Sequence, residues 1–366
     1  MIYLDNAATT KPEGEVIETF LNIQNNLWAN PSSINAFGEE VFFALKNTRK
    51  SLANLIGAKE NEIIFTSGAT EGANQFIKSV LHRGGHVITS SYEHSAVYEV
   101  IKKMTNDITY ISPVEGIIDP GDVLSAIKDD TKLVCIMHVN NEIGAINNIY
   151  EITRLVKQKN KDICVFCDGV QAIGKINVDV NKLGVDGYIA SAHKFHGLKG
   201  TGFLYTKKQI KRFIDGGGQE NGYRSGTENV AGIISLCKAL EIADKNLNSK
   251  FSNAQKVRDY FVNNLDPDFK IITCREQSPY ILNVCIKNIK PEVLVHMLDE
   301  DEIYIGTKSA CSKNSKTSRV IDSLKLPKEY ESSCIRISFS GEENMDDMKM
   351  SVEKINFYAN KLKELR

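Results

Sequence analysis

Lys194 lies in the stretch Asp186–Tyr205, DGYIASAHKFHGLKGTGFLY, between two apolar runs, Tyr188–Ala190 and Gly202–Tyr205. The residues between them are polar and cationic (Ser191, His193, Lys194, His196, Lys199) and are punctuated by Gly197, Gly200 and Gly202. Two buried strands joined by such a corner place it at a sheet edge, where the chemistry of α/β proteins collects. A lysine held there, desolvated and near other cations, is suited to act as an amine nucleophile and form a Schiff base. A second candidate is the turn Thr66-Ser67-Gly68-Ala69-Thr70-Glu71, between a short strand at 62–65 and a helix predicted over 72–81. Backbone N–H groups exposed at a helix start bind anions. On these residues alone, a plain strand-to-helix turn capped by Thr70 remains an equal reading.

Other polar residues stand just after β-prone apolar runs: His94 after 86–90, Asn141 after 132–139, and Asp168 after 163–167, with Gln171 three positions further on. Strands alternating with helices over this span predict a mostly parallel sheet with helices on both faces, hence an α/β fold. The carboxyl ends of parallel strands share one rim, so Thr70, His94, Asn141, Asp168 and Lys194 are expected to face one cavity. Ahead of this region, the small polar start Tyr3–Thr10 reads as an arm laid against the body, and a helix-like segment covers Val16–Asn26. Asn30-Pro31-Ser32-Ser33 reads as a turn whose side chains cap a helix rising through Glu39 to Leu55. After the long helical stretch Val230–Asn246 and Phe251–Asn264, the pattern beyond Pro267 changes to a smaller α+β unit that ends in an amphipathic helix over 344–365.

With 366 residues, 42% hydrophobic, 25% charged and a net charge of −1, the chain has ordinary globular composition and is too long for one comfortable domain. That charge balance offers no basic field for nucleic acid. No apolar run is long enough to span a membrane, and the N-terminus has no secretory pattern, so a reducing cytoplasm is the expected compartment. The eight cysteines are scattered, which fits free thiols better than disulfides. Cys164 and Cys167 form a C-x-x-C, but in a strand positions three apart point to opposite faces, roughly 10 Å from each other. Both are therefore read as packing residues.

Several segments, taken in order, resemble the class V pyridoxal-phosphate enzymes, and within them the cysteine desulfurases of the NifS/IscS kind. They are YLDNAATT (3–10), NPSS (30–33), FTSGATE (65–71), EH (93–94), NNEIG (140–144), D-x-x-Q (168–171), SAHK (191–194), RSGTEN (224–229), SAC (309–311) and IRIS (335–338). The resemblance implies the fold type I of pyridoxal-phosphate-dependent transferases. In it a large cofactor-binding domain (15–250) is joined by a smaller α+β domain made of 1–14 and 251–366. It implies that Lys194 bonds the cofactor, that Asp168 keeps the pyridine nitrogen protonated, and that His94 stacks on the ring and moves protons. Gln171 and Asn141 would meet the phenolic-oxygen side. Ala69, Thr70, Ser191 and His193 would bind the phosphate, joined by Thr227 from a partner subunit of a homodimer. Arg336 would grip the substrate carboxylate, with a guanidinium's bidentate geometry.

Cys311 is flanked by small, polar and cationic residues from Gly306 to Lys316, which reads as a mobile loop whose lysines lower the thiol's pKa. The resemblance makes this thiolate the acceptor of the substrate's sulfur, as a persulfide passed on to an iron–sulfur scaffold or a tRNA-thiolating enzyme. The alternative is a selenocysteine lyase or another aminotransferase-like enzyme of the class. Departures from the family pattern are Lys308 where a small residue is usual, Asn35 for a histidine, His196 and Leu198 for tyrosine and proline, and Ser340 for glycine. The sequence also ends soon after the last helix, without the longer tail of housekeeping members, which leaves the sulfur acceptor open.

Overall fold

The computed structural model describes residues 1–307 and 318–364. Among these the strands are, in chain order, β1 (Ile2–Leu4), β2 (Ile63–Thr66), β3 (His86–Ser90), β4 (Ile108–Ile111), β5 (Thr131–Cys135) and β6 (Cys164–Asp168). They continue with β7 (Gly187–Ser191), β8 (Gly202–Thr206), β9 (Lys270–Ile272), β10 (Ile281–Cys285), β11 (Ile303–Ile305) and β12 (Cys334–Ser338). Strands β2 to β8 form one seven-stranded sheet in the order β2-β8-β7-β6-β5-β3-β4. Neighbours from β7 to β4 run parallel, whereas β8 is antiparallel to both β7 and β2. The mostly parallel sheet is thus present, with one reversal at the corner that carries Lys194. The connection 192–201 is too short for a parallel crossover, so β7 and β8 close as a hairpin around it.

Strands β3, β7 and β8 are buried along their whole length, because helices cover both faces of the sheet. One face packs against the helices Ala69–Val80 and Ser95–Met104, the other against Ala36–Leu55, Ile149–Lys159 and Val230–Lys245. Cys167 belongs to the core under the helices Ala36–Leu55, Ile149–Lys159 and Val230–Lys245, while Cys164 packs against the core on the opposite face, so the C-x-x-C pair does point to opposite faces of β6.

The helix predicted over 39–55 begins earlier, at Ala36, and its cap is not in the Asn30–Ser33 turn. Asn35 adopts an extended backbone, and its side chain accepts from Gly38 N at 2.9 Å. The Asn30 side chain is instead used inside its own turn, accepting from Ser32 N. The helix expected over 72–81 likewise starts sooner, at Ala69, which places Thr70 inside its first turn and makes Gly68 the capping position.

A second apolar core gathers Ile2 and Leu4 with Val257, Leu282, Leu294, Ile335, Ile337 and Val352. Here β9, β10 and β12 form an antiparallel sheet, and β1 lies parallel to β11. Isolated bridges Asp5–Ser338 and Gly306–Arg336 tie that pair to β12. The expectation of free thiols fails at one place: Cys285 and Cys334 face each other across β10 and β12 and are joined as a disulfide. Strand register brings them together across a sequence separation of 49, which spacing alone does not reveal. Cys135, Cys164, Cys167, Cys237 and Cys274 are free, as expected. Cys311 lies outside the described residues.

Candidate active site

The strand ends converge as the alternation predicts. A cavity of about 260 Å³ is lined by Ala69, Thr70, His94, Asn141, Asp168, Gln171, Ser191, His193, Lys194 and Arg336, together with Ala7 and Ala8 of the N-terminal arm. Lys194 closes a 3-10 turn, Ala192–Lys194, directly after β7, and its Nζ donates to the carbonyls of Ala7 (2.6 Å) and Ala8 (2.7 Å). The arm is held in turn by Ala7 N donating to Ser338 Oγ at 2.9 Å and by Gln171 Nε2 donating to Ala7 O at 2.9 Å. The amine therefore stands at a fixed point, oriented by two acceptors that carry no charge of their own.

Next to it the helix Ala69–Val80 opens toward the cavity. Ala69 N donates to Ser191 Oγ at 2.8 Å, so the end of β7 and the helix start form one polar cradle with His193 beside it. The close approach of β8 fixes this cradle: a Cβ on Gly202 would stand 2.5 Å from Ala190 O and 2.7 Å from Gly68 Cα. Backbone N–H groups, a hydroxyl and an imidazole at a helix N-terminus make a donor set for a phosphate.

Asp168 ends β6, with its carboxylate accepting from Val170 N at 3.0 Å. Burial pushes its carboxyl up to about 6, against the pull of the Val170 N–H and the Lys194 charge. His94 precedes the helix Ser95–Met104 and caps it. Ala96 N donates to His94 Nδ1 at 3.2 Å, so the neutral ring carries its proton on Nε2. Burial, then the charges of Lys194, Arg319 and Arg336, hold this imidazole down near 4, which keeps it neutral at physiological pH. His193 is likewise held near 4, by burial and by Lys194, Lys199 and Lys175.

Arg336 reaches the cavity from β12 and is 2% exposed. Its Nη1 donates to Asn141 O at 3.0 Å and its Nη2 pairs with Asp5 Oδ1 at 2.7 Å. A guanidinium has five donors, so these contacts orient the fork and leave part of it for an incoming carboxylate.

Two residues of the expected set do not line this cavity, one of them, Thr227, being the residue that the resemblance brings in from a partner subunit. Thr227 lines a separate cavity with Ser67, Gly200 and Arg224, and Cys311 lies outside the described residues. Conversely, sequence reasoning missed several groups. Asp5 lies within the quoted arm YLDNAATT but was given no role, and only its contact with Arg336 reveals its use. Glu93 is buried beneath His94, accepting from Ser90 Oγ and Met137 N, with burial raising its carboxyl to about 8. Its one sequence signal was the adjacent histidine. Lys175 is buried in the apolar run Ala172–Ile176 and donates to Gln171 Oε1, and nothing in its flanks marked it.

The aminotransferase class-V family model matches residues 2–350. A cysteine desulfurase IscS of Dictyoglomus turgidum is 38% identical, covering 100% of this chain and 96% of the relative. A solved NifS-like protein superposes with a TM-score of 0.93 at 34% identity, over 99% of this chain and 100% of that one. The structure of SspA in complex with cysteine follows with a TM-score of 0.83 at 30% identity, over 94% and 100%.

The cofactor of this family, pyridoxal phosphate, fits the donor set: a phosphate cradle at Ala69 and Ser191, a buried carboxyl at Asp168 for a cationic ring nitrogen, and an amine at Lys194. A cation placed against Asp168 would relieve the penalty that burial imposes on its charged form. The chain thus belongs to the aminotransferase class-V family and, within it, to the pyridoxal-phosphate-dependent cysteine desulfurases.

Proposed function

We propose that the cavity around Lys194 is the reaction centre, where L-cysteine yields L-alanine and its sulfur passes to Cys311. One observation carries the reading. An amine, an imidazole, a carboxyl and a guanidinium from four distant segments (Lys194, His94, Asp168, Arg336) meet on one cavity beside a helix N-terminus. Bound pyridoxal phosphate supplies an electron sink for bonds at the substrate's α and β carbons. Lys194 is the attachment point, since its amine is already aimed by the Ala7 and Ala8 carbonyls and stands on the cavity wall. Asp168 would hold the ring nitrogen protonated. His94, neutral and protonated on Nε2, would face the ring and move a proton at the substrate. Asn141 and Gln171 would meet the phenolic-oxygen side, and Ala69, Thr70, Ser191 and His193 would hold the phosphate. Arg336 takes the substrate carboxylate, oriented by Asp5 and Asn141 O.

The sulfur step balances as L-cysteine plus the Cys311 thiol giving L-alanine plus a Cys311 persulfide, which an acceptor protein then takes. That acceptor is an iron–sulfur scaffold or a tRNA-thiolating enzyme in the cytoplasm. Two copies of the chain form the working unit, the partner subunit's Thr227 reaching the phosphate. This is supported by Thr227 lying away from the Lys194 cavity, beside Glu228, which lines a further cavity together with the exposed Phe42. We divide the chain into 15–250 and 1–14 with 251–366, a boundary supported by the second apolar core that takes in Ile2 and Leu4.

Incubating the protein with L-cysteine should give alanine and, under reductant, sulfide in equal amounts, with added sulfur found by mass spectrometry on the Cys311 peptide. Lys194→Ala should lose both turnover and the visible band of the bonded cofactor. Sulfide release that survives Cys311→Ser would sink the assignment of that thiol.

A further inference from the structure

Lys175 is 6% exposed and stands between Gly174 and Ile176. The segment after Asp168 coils into a short helical turn, with Ala172 N and Ile173 N bonded to Gly169 O and Lys175 N and Ile176 N bonded to Ala172 O. That coil stacks positions 171 and 175 on one side. Lys175 Nζ donates to Gln171 Oε1 at 2.7 Å, and the Tyr280 ring centre lies 5.9 Å from the same nitrogen. The other end of the amide, Gln171 Nε2, donates to Ala7 O at 2.9 Å and belongs to the cavity wall.

A glutamine amide can present either end to a ligand, because its oxygen and nitrogen are nearly isosteric. Here both ends are specified. The Ala7 carbonyl only accepts, so it requires the NH2 end. In its ammonium form Lys175 only donates, so it requires the oxygen. We propose that Lys175 is a positioning residue that locks Gln171 with its N–H group toward the cavity, so that this side chain meets the phenolic oxygen of bound pyridoxal phosphate as a donor. Burial, with Lys194 and Arg336 nearby, presses the Lys175 amine down to about 7. An apolar residue of equal length would avoid that penalty, so the lysine is kept at an energetic disadvantage that packing does not explain.

The inference rests on the reading that Lys194 bonds the cofactor. Four variants separate the two ideas: Lys175→Met, Gln171→Met, the double variant and Lys194→Ala. For each, apoprotein is titrated with pyridoxal phosphate while the visible band, the dissociation constant and the Tm are recorded. Lys175→Met is expected to keep or raise the apoprotein Tm, to shift the visible band, and to weaken cofactor binding about tenfold. In the Gln171→Met background the same change should add nothing further, since Lys175 acts through the amide. An unchanged band in Lys175→Met, effects that simply add in the double variant, or an apoprotein that no longer folds would each overturn the inference. If Lys194→Ala keeps the bonded band, the underlying reading fails instead, whatever Lys175 does.

Discussion

At Asp168 a carboxyl is asked to stay charged where burial resists it. Moving it from its ordinary 3.8 to about 6 corresponds to a penalty on the charged form of about 3 kcal/mol. A carboxyl whose folded value is raised contributes favourably below its unfolded value and loses that contribution as pH rises through the folded one. The penalty is therefore complete above about pH 6 and absent below about pH 4. Asp168→Asn, whose amide oxygen can still accept from Val170 N, should raise the apoprotein Tm at about pH 8 and leave it unchanged in acid, while weakening pyridoxal phosphate binding. Thermal scans of the apoprotein at both pH values check this, and a lower Tm in alkali would contradict it. His94 allows its chemistry to be separated from its structural role. Asparagine caps helices well, so His94→Asn should keep the cap on Ala96 N and the Tm while kcat falls about 10²–10⁴-fold. Lys194, Asp168 and His94 were legible because each follows an apolar strand and interrupts it with polarity. Lys175 was not, because a lysine inside an apolar run looks like any snorkelling side chain until its partner Gln171 is seen.

At the level of elements, the alternation of strands and helices was readable to within a few residues, but direction and caps were not. The antiparallel β8 follows from the length of its connection, and the short corner 192–201 contained that information. Asn35, noted only as a departure from the family pattern, proves to be the cap of the helix Ala36–Leu55. Asn35→Ala should cost about 1 kcal/mol of stability, read as a lower denaturation midpoint with an unchanged m-value, and should leave the cofactor band alone. The Cys285–Cys334 link was invisible for a different reason: each cysteine looks like a packing residue in its own strand, and only the pairing of β10 with β12 makes them neighbours.

Across the whole molecule, the cavity is assembled from both ends of the chain. The arm was legible as something laid on the body, but not that its carbonyls at 7 and 8 would hold the Lys194 amine. The hydroxyl of Ser338 accepts from Ala7 N at 2.9 Å and anchors the arm. Ser338→Ala leaves that buried N–H without its acceptor, a loss of about 1–3 kcal/mol. The arm should then exchange amide hydrogens faster at Ala7 and Ala8, and cofactor should leave Lys194 more readily, measurable by hydrogen exchange and by dilution of the loaded enzyme. Unchanged exchange at those two amides would show that Ser338 does not secure the arm.

The partnership of arm and β12 also bears on the order of events at the ribosome. The arm awaits strands made much later than itself, because β1 pairs with β11 and Asp5 with Ser338. A nascent polypeptide halted before β12 would have made its lysine and its phosphate cradle, yet would lack the guanidinium and the secured arm.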